Sequence, residues 1–471
     1  MTPRRFVPAV WLCLALGLAA GSAAQPADLD PRIQKLLADI SEERLKGLLT
    51  KLQGFETRNT LSSQDNPSRG IGAARQWILD EMKRSSLRLQ VSFDGYQVAA
   101  QGRITRDIDL RNVMAVLPGK SPRRIYVSGH YDSLARAATP PSAPSSGQGR
   151  AQGAPGAAPR APAADAAPAP LDNFAPGAND DGSGTVLTME LARVFGESGL
   201  EFDATLVFIV LAGEEQGLIG AYAHAQKAEA DKLVIDAVLN NDMVGNVRGG
   251  SGVEDGESVR VFAEGPEDSP SRQLARFIRR QAARYEPALQ VRLIARHDRF
   301  GRGGDHTAFN QHGYAAVRIT EANENYARQH TVEDTIDAVS FAYALKNVRM
   351  NAAAVAVLAL APPAPKVTNE RGSPMLGRQP SGYDAQLRWT ASPGASGYRV
   401  FWREAWAPDW QHEMTVGNLT EVVLPDVSID DYVFGVSAIG PGGHESLVSA
   451  YVNPPRADVI IKLRSPAPEP R

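Results

Sequence analysis

Five residues of metal-ligating type are spread along this chain in motifs framed by glycines and apolar runs. His130 stands in Gly-His-Tyr-Asp-Ser, Asp180 in Gly-Ala-Asn-Asp-Asp-Gly-Ser-Gly and Glu215 in Ala-Gly-Glu-Glu-Gln-Gly; Asp242 stands in Asn-Asn-Asp-Met and His330 in Gln-His-Thr-Val-Glu-Asp-Thr. Two imidazoles and three carboxylates suit Zn²⁺, which takes nitrogen and oxygen ligands in tetrahedral or slightly expanded sites. Asp180 is the natural bridge, because a carboxylate can give one oxygen to each of two ions about 3.5–4 Å apart, the spacing two-metal hydrolases use. Glu214 beside Glu215 leaves a second carboxylate free to act as a base on water. Adjacent buried like charges are costly unless a cation compensates. The pattern points to two zinc ions and hydrolysis.

Each motif also has a plainer reading. An aspartate before a helix can simply be its N-cap, yet a cap does not need the adjacent pair Asp180 and Asp181 inside a frame of Gly177, Gly182 and Gly184. His130 and Asp132 form His-x-Asp, in which one ring nitrogen can bind metal while Asp132 accepts the other N–H and fixes the tautomer. Asp242 and His330 carry little weight alone.

The elements that must position these groups alternate. Strand-like runs lie at 112–116, 124–127, 204–211, 233–239, 291–294 and 315–319, and helical patterns at 184–195, 219–227, 269–285 and 339–360. This alternation predicts an α/β fold with a mostly parallel central sheet flanked by helices. His130, Glu215 and Asp242 each follow a predicted strand by a few residues, the place where open α/β sheets bind ligands. Upstream, residues 30–53 carry one continuous 3.6-residue periodicity, and 70–83 form a second amphipathic segment.

The chain holds 50 basic and 53 acidic residues, for a formal net charge of -3. No basic patch supports a nucleic-acid partner. Arg4 and Arg5 precede an apolar run at 6–20 and the small residues Gly-Ser-Ala-Ala. This pattern predicts a signal peptide over 1–24, cleaved after Ala24, and export to a periplasmic or extracellular compartment. The run is shorter than the roughly 20 apolar residues a membrane span needs, so no integral membrane segment is expected in the mature chain. The only cysteine, Cys13, lies inside the leader. The mature protein is therefore expected to rely on its core and metals rather than disulfides.

Within the catalytic region, 25–361, an insertion at 136–170 is almost entirely Ala, Pro, Gly and Ser, a composition expected to stay disordered. It separates His130 from Asp180 and reads as a tolerated surface insertion or as a flap. A proline-rich linker then opens a region at 362–455 of short alternating runs, predicted to be a small all-β sandwich, with a tail at 456–471. Trp389, Tyr432-x-Phe434-x-Val436-x-Ala438 and Gly440-Pro-Gly-Gly443 resemble a fibronectin type III domain. No catalytic constellation appears there. It is a candidate for attachment to surfaces or polymers, and its removal from Val367 onward is expected to leave the catalytic unit folded.

Taken together, Gly-His-Tyr-Asp-Ser133, Pro176-Gly-Ala-Asn-Asp-Asp-Gly-Ser-Gly184, Glu214-Glu-Gln-Gly217, Asp242-Met, Asp305-His-Thr-Ala-Phe309 and His330-Thr-x-x-Asp334-Thr resemble the co-catalytic di-zinc aminopeptidases of the bacterial leucyl type. By that resemblance one zinc takes His130 and Asp242 and the other takes Glu215 and His330. Asp180 bridges them, and Glu214 is the general base. It implies an aminopeptidase acting on peptides with a free N-terminus. The chain departs from the family in its long stretch between His130 and Asp180, in Gly304 where serine is frequent, and in lacking room between Leu89 and Arg111 for an insert domain. Three alternatives stay open. A carboxypeptidase or dipeptidase would use Arg302 or Arg328 for a terminal carboxylate; the others are a glutaminyl-cyclase-like acyltransferase and a non-catalytic binding protein.

Overall fold

A computed structural model describes residues 29–136, 173–378 and 382–453. The leader at 1–24, nearly all of the Ala/Pro/Gly-rich insertion and the tail at 456–471 lie outside the described residues. The helices α1 (Pro31–Ala38), α2 (Glu42–Gln53) and α3 (Gly70–Ser85) lead into strands β1 (Gln90–Val98), β2 (Ile108–Leu117) and β3 (Arg124–His130). The alternating part follows as α4 (Ser183–Glu197), β4 (Thr205–Leu211), α5 (Ile219–Ala230), β5 (Ile235–Asn241), β6 (Ser258–Ala263), α6 (Pro270–Tyr285), β7 (Gln290–Ile294), α7 (His306–Gln311), β8 (Ala316–Glu321) and α8 (Phe341–Leu360).

These strands form one eight-stranded sheet in the order β1-β2-β4-β3-β5-β8-β6-β7. The centre, β4-β3-β5-β8, is parallel, with antiparallel pairing at β1-β2, β2-β4 and β6-β8. The sheet explains the near-continuous apolar runs, since a parallel centre is covered on both faces. Along β4, Leu206, Phe208 and Val210 enter one core with α4, α6 and α8. Val207, Ile209 and Leu211 enter the opposite core with Ala221 and Ala225 of α5 and Phe309 of α7. Successive strand side chains point to opposite faces, so one run of seven residues feeds two cores. Each such side chain contributes about 1.5–3 kcal/mol by leaving water.

Strand β6 and helix α7 add to the elements read from the sequence, and two further differences have a clear cause. The single periodic segment at 30–53 is two helices, because Ser41 caps α2 by accepting from Arg44 N at 3.1 Å, and buried Ile40 carries the periodicity across the break. Strand β1, Gln-Val-Ser-Phe-Asp-Gly-Tyr-Gln-Val, is an edge strand that is half exposed and carries no clean alternation.

The C-terminal part holds a three-stranded antiparallel sheet of β9 (Leu376–Arg378), β10 (Asp384–Arg388) and β13 (Glu421–Ser428). A four-stranded antiparallel sheet faces it, made of β11 (Gly397–Glu404), β12 (His412–Thr415), β14 (Tyr432–Ile439) and β15 (Ser449–Ala450). Leu387, Trp389, Val400, Phe434 and Val436 share one core between them. Many sandwiches have this layout, so the fibronectin type III resemblance remains an expectation. The unit does not hang from a free linker. Leu447 belongs to the main core, Trp410 Nε1 donates to Gln273 Oε1 at 3.2 Å, and buried Arg403 donates to both oxygens of Asp268 at 3.0 and 2.8 Å. Among the described residues no helix is long and apolar enough to cross a membrane.

Candidate metal centre

His130 is the last residue of β3, Asp242 directly follows β5, and Glu215 lies in the loop after β4. All three therefore sit at the carboxyl edge of the parallel strands. Asp180 reaches the same place from the tight turn Ala178–Gly182, which enters α4. His330 comes from the loop after β8 with a positive φ of 58°, a conformation costly for a side chain unless its surroundings hold it. The turn needs its glycines. Gly177 has φ 48°, and a Cβ on Gly184 would lie 2.1 Å from the Asn241 carbonyl.

Asp180 occupies the middle. Its Oδ1 is 3.4 Å from His130 Nε2, and its Oδ2 is 3.0 Å from His330 Nε2. Asp242 Oδ1 lies 4.0 Å from His130 Nε2, and Glu215 Oε2 lies 3.1 Å from His330 Nε2. Each imidazole thus faces one oxygen of Asp180 and one further carboxylate. Neighbouring Asp181 turns away and ties three segments together. It accepts from His130 N at 2.9 Å, from Gly184 N at 2.8 Å and from Met243 N at 3.2 Å. Asp181 thus serves the backbone at the start of α4, which leaves Asp180 facing both imidazoles.

Asp132 departs from the expected contact. Its main-chain carbonyl is the oxygen nearest His130 Nδ1, at 3.1 Å, with its carboxylate at 3.5 Å. The carboxylate accepts from Glu214 N and Glu215 N, both at 3.2 Å, and so holds the Glu-Glu loop against the histidine. Donor atoms of His130, Asp180 and Glu215 lie within 4.8 Å of one another, as do those of His130, Glu214 and Asp242. Distance alone does not separate Glu214 from the ligand carboxylates.

Several positioning residues lie outside the ligand set expected from the sequence. Fully buried Arg58 donates to the carbonyls of Tyr131 at 2.7 Å, Pro176 at 2.6 Å and Gly177 at 2.8 Å. It joins the segment after His130 to the one before Asp180. Asp334 accepts from Asn179 N and Asp180 N at 3.1 and 3.0 Å, and Gln329 Nε2 donates to Asp180 Oδ2 at 2.7 Å. Buried Arg318 sits 3.0 Å from Asp242 Oδ2. Asp334 and Gln329 flank His330 within its motif, which is the signal that could have found them.

Electrostatics and hydrogen bonding both ask for positive charge. Burial pushes the Glu214 carboxyl well above its usual range, and Glu215, Asp242 and Asp305 add to the shift although His130 opposes it. Burial likewise raises Asp305 to about 8, against the pull of His130. Burial alone would lower His330, yet Glu215 and Asp180 raise it to about 10. The buried His130 Nε2, Glu215 Oε1 and Asp242 Oδ1 have no hydrogen-bond partner. Buried polar atoms are seldom left unpaired. Protons on the imidazoles relieve the crowded carboxylates only partly, whereas a dication meets imidazole nitrogen and carboxylate oxygen together. The donor set fits zinc.

A buried histidine and carboxylate cluster at the carboxyl edge of a mostly parallel sheet suits a metal-dependent enzyme. Residues 112–356 match the model of peptidase family M28. The chain is 35% identical over 468 residues to a probable zinc metalloprotease of Pyricularia oryzae, covering 90% of this chain and 84% of that one. This chain belongs to peptidase family M28 and is a zinc metalloprotease. Its fold is similar to that of the Legionella pneumophila LapA aminopeptidase, with TM-score 0.52 and 18% identity over 74% of this chain and 80% of that one. It is also similar to Macrostomum lignano glutaminyl cyclase, with TM-score 0.50 and 16% identity over 71% and 94%. Fold likeness at such identities does not choose between the two chemistries.

Proposed function

We propose that this metalloprotease is an exported aminopeptidase that holds two zinc ions, one between His130 and Asp242 and one between Glu215 and His330, with Asp180 shared. The observation that carries this reading is the pair of imidazoles on opposite sides of Asp180, each within 3.4 Å of a different carboxylate oxygen. When bound, the ions supply Lewis acidity at a carbonyl oxygen and ease the deprotonation of water. Glu214 takes the proton from the attacking water and delivers it to the leaving nitrogen. Burial suits it to this exchange, because a carboxyl held above its usual range is a stronger base and returns the proton less reluctantly than water does. Asp132 positions Glu214 through its main-chain N–H. Asp334 and Gln329 hold the Asp180 turn and its Oδ2, and Arg318 fixes Asp242.

A cyclase with a single ion needs only one imidazole–carboxylate set, and here both sets converge on Asp180. For the carboxypeptidase alternative, Arg302 lines the cavity whereas Arg328 pairs with Asp337 at 3.3 Å. Hydrolysis of aminoacyl chromogenic amides beside N-blocked peptides, with and without chelator, tests the reading. Chelator-sensitive cleavage of the free-amine substrates supports it, and cleavage of only the blocked peptides sinks it. Export rests on the N-terminal pattern, and secreted material should begin at Gln25. Attachment to a surface or polymer remains the proposed role of the C-terminal sheets.

A further inference from the structure

The metal cluster opens into a cavity of about 410 Å³ lined by five arginines and by Asp180, Glu214, Glu215 and Asp242. Two of the arginines are inner and neutralised. Arg318 pairs with Asp242 at 3.0 Å, and Arg299 pairs with Asp298 at 3.0 Å and Glu324 at 2.6 Å. The other three, Arg103, Arg136 and Arg302, are exposed. Among the described residues no carboxylate forms an ion pair with any of them, although many other arginines of this chain have such a partner.

All three are tied to the same half of the site. Arg103 Nη1 donates to the Glu215 carbonyl at 3.0 Å, and Arg136 N donates to the His330 carbonyl at 2.9 Å. Arg302 Nη1 donates to Gln329 Oε1 at 3.1 Å, with its guanidinium 5.5 Å from the centre of the Tyr326 ring, and Gln329 in turn donates to Asp180. Two dications would match the four lining carboxylates in charge, which would leave the outer arginines without a counter-charge on the cavity wall. Such a concave field favours anionic ligands. The guanidinium fork matches a carboxylate geometrically.

We infer that Arg103, Arg136 and Arg302 form a carboxylate-binding rim beside Glu215 and His330, so that the preferred substrate is a short peptide carrying a carboxylate close to the scissile bond. This rests on the peptidase reading above. The carboxylate has two sources, the free C-terminus of a di- or tripeptide and an acidic side chain. Kinetics on the zinc-loaded protein separate them: Ala-Leu against Ala-Leu-amide tests the terminus, and Ala-Glu-amide against Ala-Gln-amide and Glu-Ala-amide against Gln-Ala-amide test the side chain.

The expected result is an advantage of about tenfold or more in kcat/KM for the carboxylate member of at least one pair, as suits charge-assisted contacts. It should be carried mainly by KM, shrink at high salt, and collapse toward unity in Arg103→Gln and Arg302→Gln with zinc content unchanged. Ratios near unity in every pair, with all the peptides cleaved, overturn the rim. Titration with glutarate and with glutaramide, read by calorimetry, covers the case in which no peptide is cleaved. Glutarate binding that weakens in the two variants supports the rim while the aminopeptidase reading fails. Binding equal in wild type and variants overturns the rim whether or not peptides are cleaved.

Discussion

At the carboxyl edge of the large sheet, buried His130 Nε2, Glu215 Oε1 and Asp242 Oδ1 lack hydrogen-bond partners, whereas at the seam between the start of α6 and the C-terminal sheets Asp268 gives both oxygens to Arg403. Both clusters bury charge. At the seam each charge has its opposite from the chain itself, so the pair acts as a fastener. At the sheet edge, imidazoles and carboxylates converge with lone pairs to spare, so the cluster depends on charge from outside the chain. A buried pair says little about function, while a buried set of unpaired ligand atoms says a good deal.

The comparison breaks first at Glu214. Glu214→Gln is expected to keep its zinc and lose on the order of 10²–10⁴ in turnover, the usual contribution of a positioned acid–base group. Retained turnover would remove Glu214 from the proton transfer. At the seam the expected effect is on stability instead. Arg403→Ala leaves part-buried Asp268 with only its longer contacts to Arg276 and Gln273, 3.4 Å each, and should cost about 1.5–3 kcal/mol, the scale of a lost charge-assisted contact, with zinc content unchanged in the material that folds. Denaturant unfolding beside metal analysis checks both halves. Truncation from Val367 removes Arg403 and also Leu447 from the main core, so loss of soluble protein is the outcome the structure leads one to expect. The sequence-based expectation is the opposite, that the catalytic unit stands alone, and soluble expression of the truncated chain decides between the two.

The pH dependence sharpens the contrast further. In the metal-free protein, burial raises Asp305 to about 8 and Asp334 to about 7, and Glu215 and Asp180 raise His330 to about 10 despite its burial. A group whose folded pKa is raised stabilises fully below its unfolded pKa and loses that stabilisation as pH rises through the folded value. The chelated protein should therefore melt at progressively lower temperature from about pH 6.5 to pH 9, above the range in which buried His306, lowered to about 4, works the other way, with Asp305, Asp334 and His330 among the groups responsible. The zinc-loaded protein should hold a flatter profile. Equal slopes in thermal scans of the two forms would contradict a cation at this cluster.

The smallest effect is expected from excising residues 138–170. Arg58 holds Tyr131, Pro176 and Gly177 together, and Ser133 Oγ donates to the Ala175 carbonyl at 2.7 Å. The two sides of the deletion are thus already joined, and zinc content should not change. Loss of zinc on excision would show that this stretch supports the site.

What could be read from the residues divides along physical lines. The central strands announced themselves because a strand covered on both faces is mostly apolar, as Leu206–Leu211 is along its whole length. The half-exposed edge strand Gln90–Val98 has no such constraint and left no mark. The break at Ser41 was hidden because Ile40 preserves the apolar spacing. Around the candidate metal cluster, chemistry restricts residue type strongly enough that the motifs of His130, Asp180 and Glu215 stand out, while Asp242 and His330 gain weight only beside them. Arg58 and Arg318 do not stand out. Their partners are main-chain carbonyls and a carboxylate far away in sequence, and only the folded chain brings them together.

The central claim is that Asp180 is shared by two zinc ions, and elemental analysis of the purified protein beside Asp180→Asn tests it most directly. About two zinc ions per folded chain are expected for the unaltered protein, as a shared carboxylate requires, with a marked fall in the folded variant. A single ion per chain, or full zinc content retained in Asp180→Asn, would contradict the account.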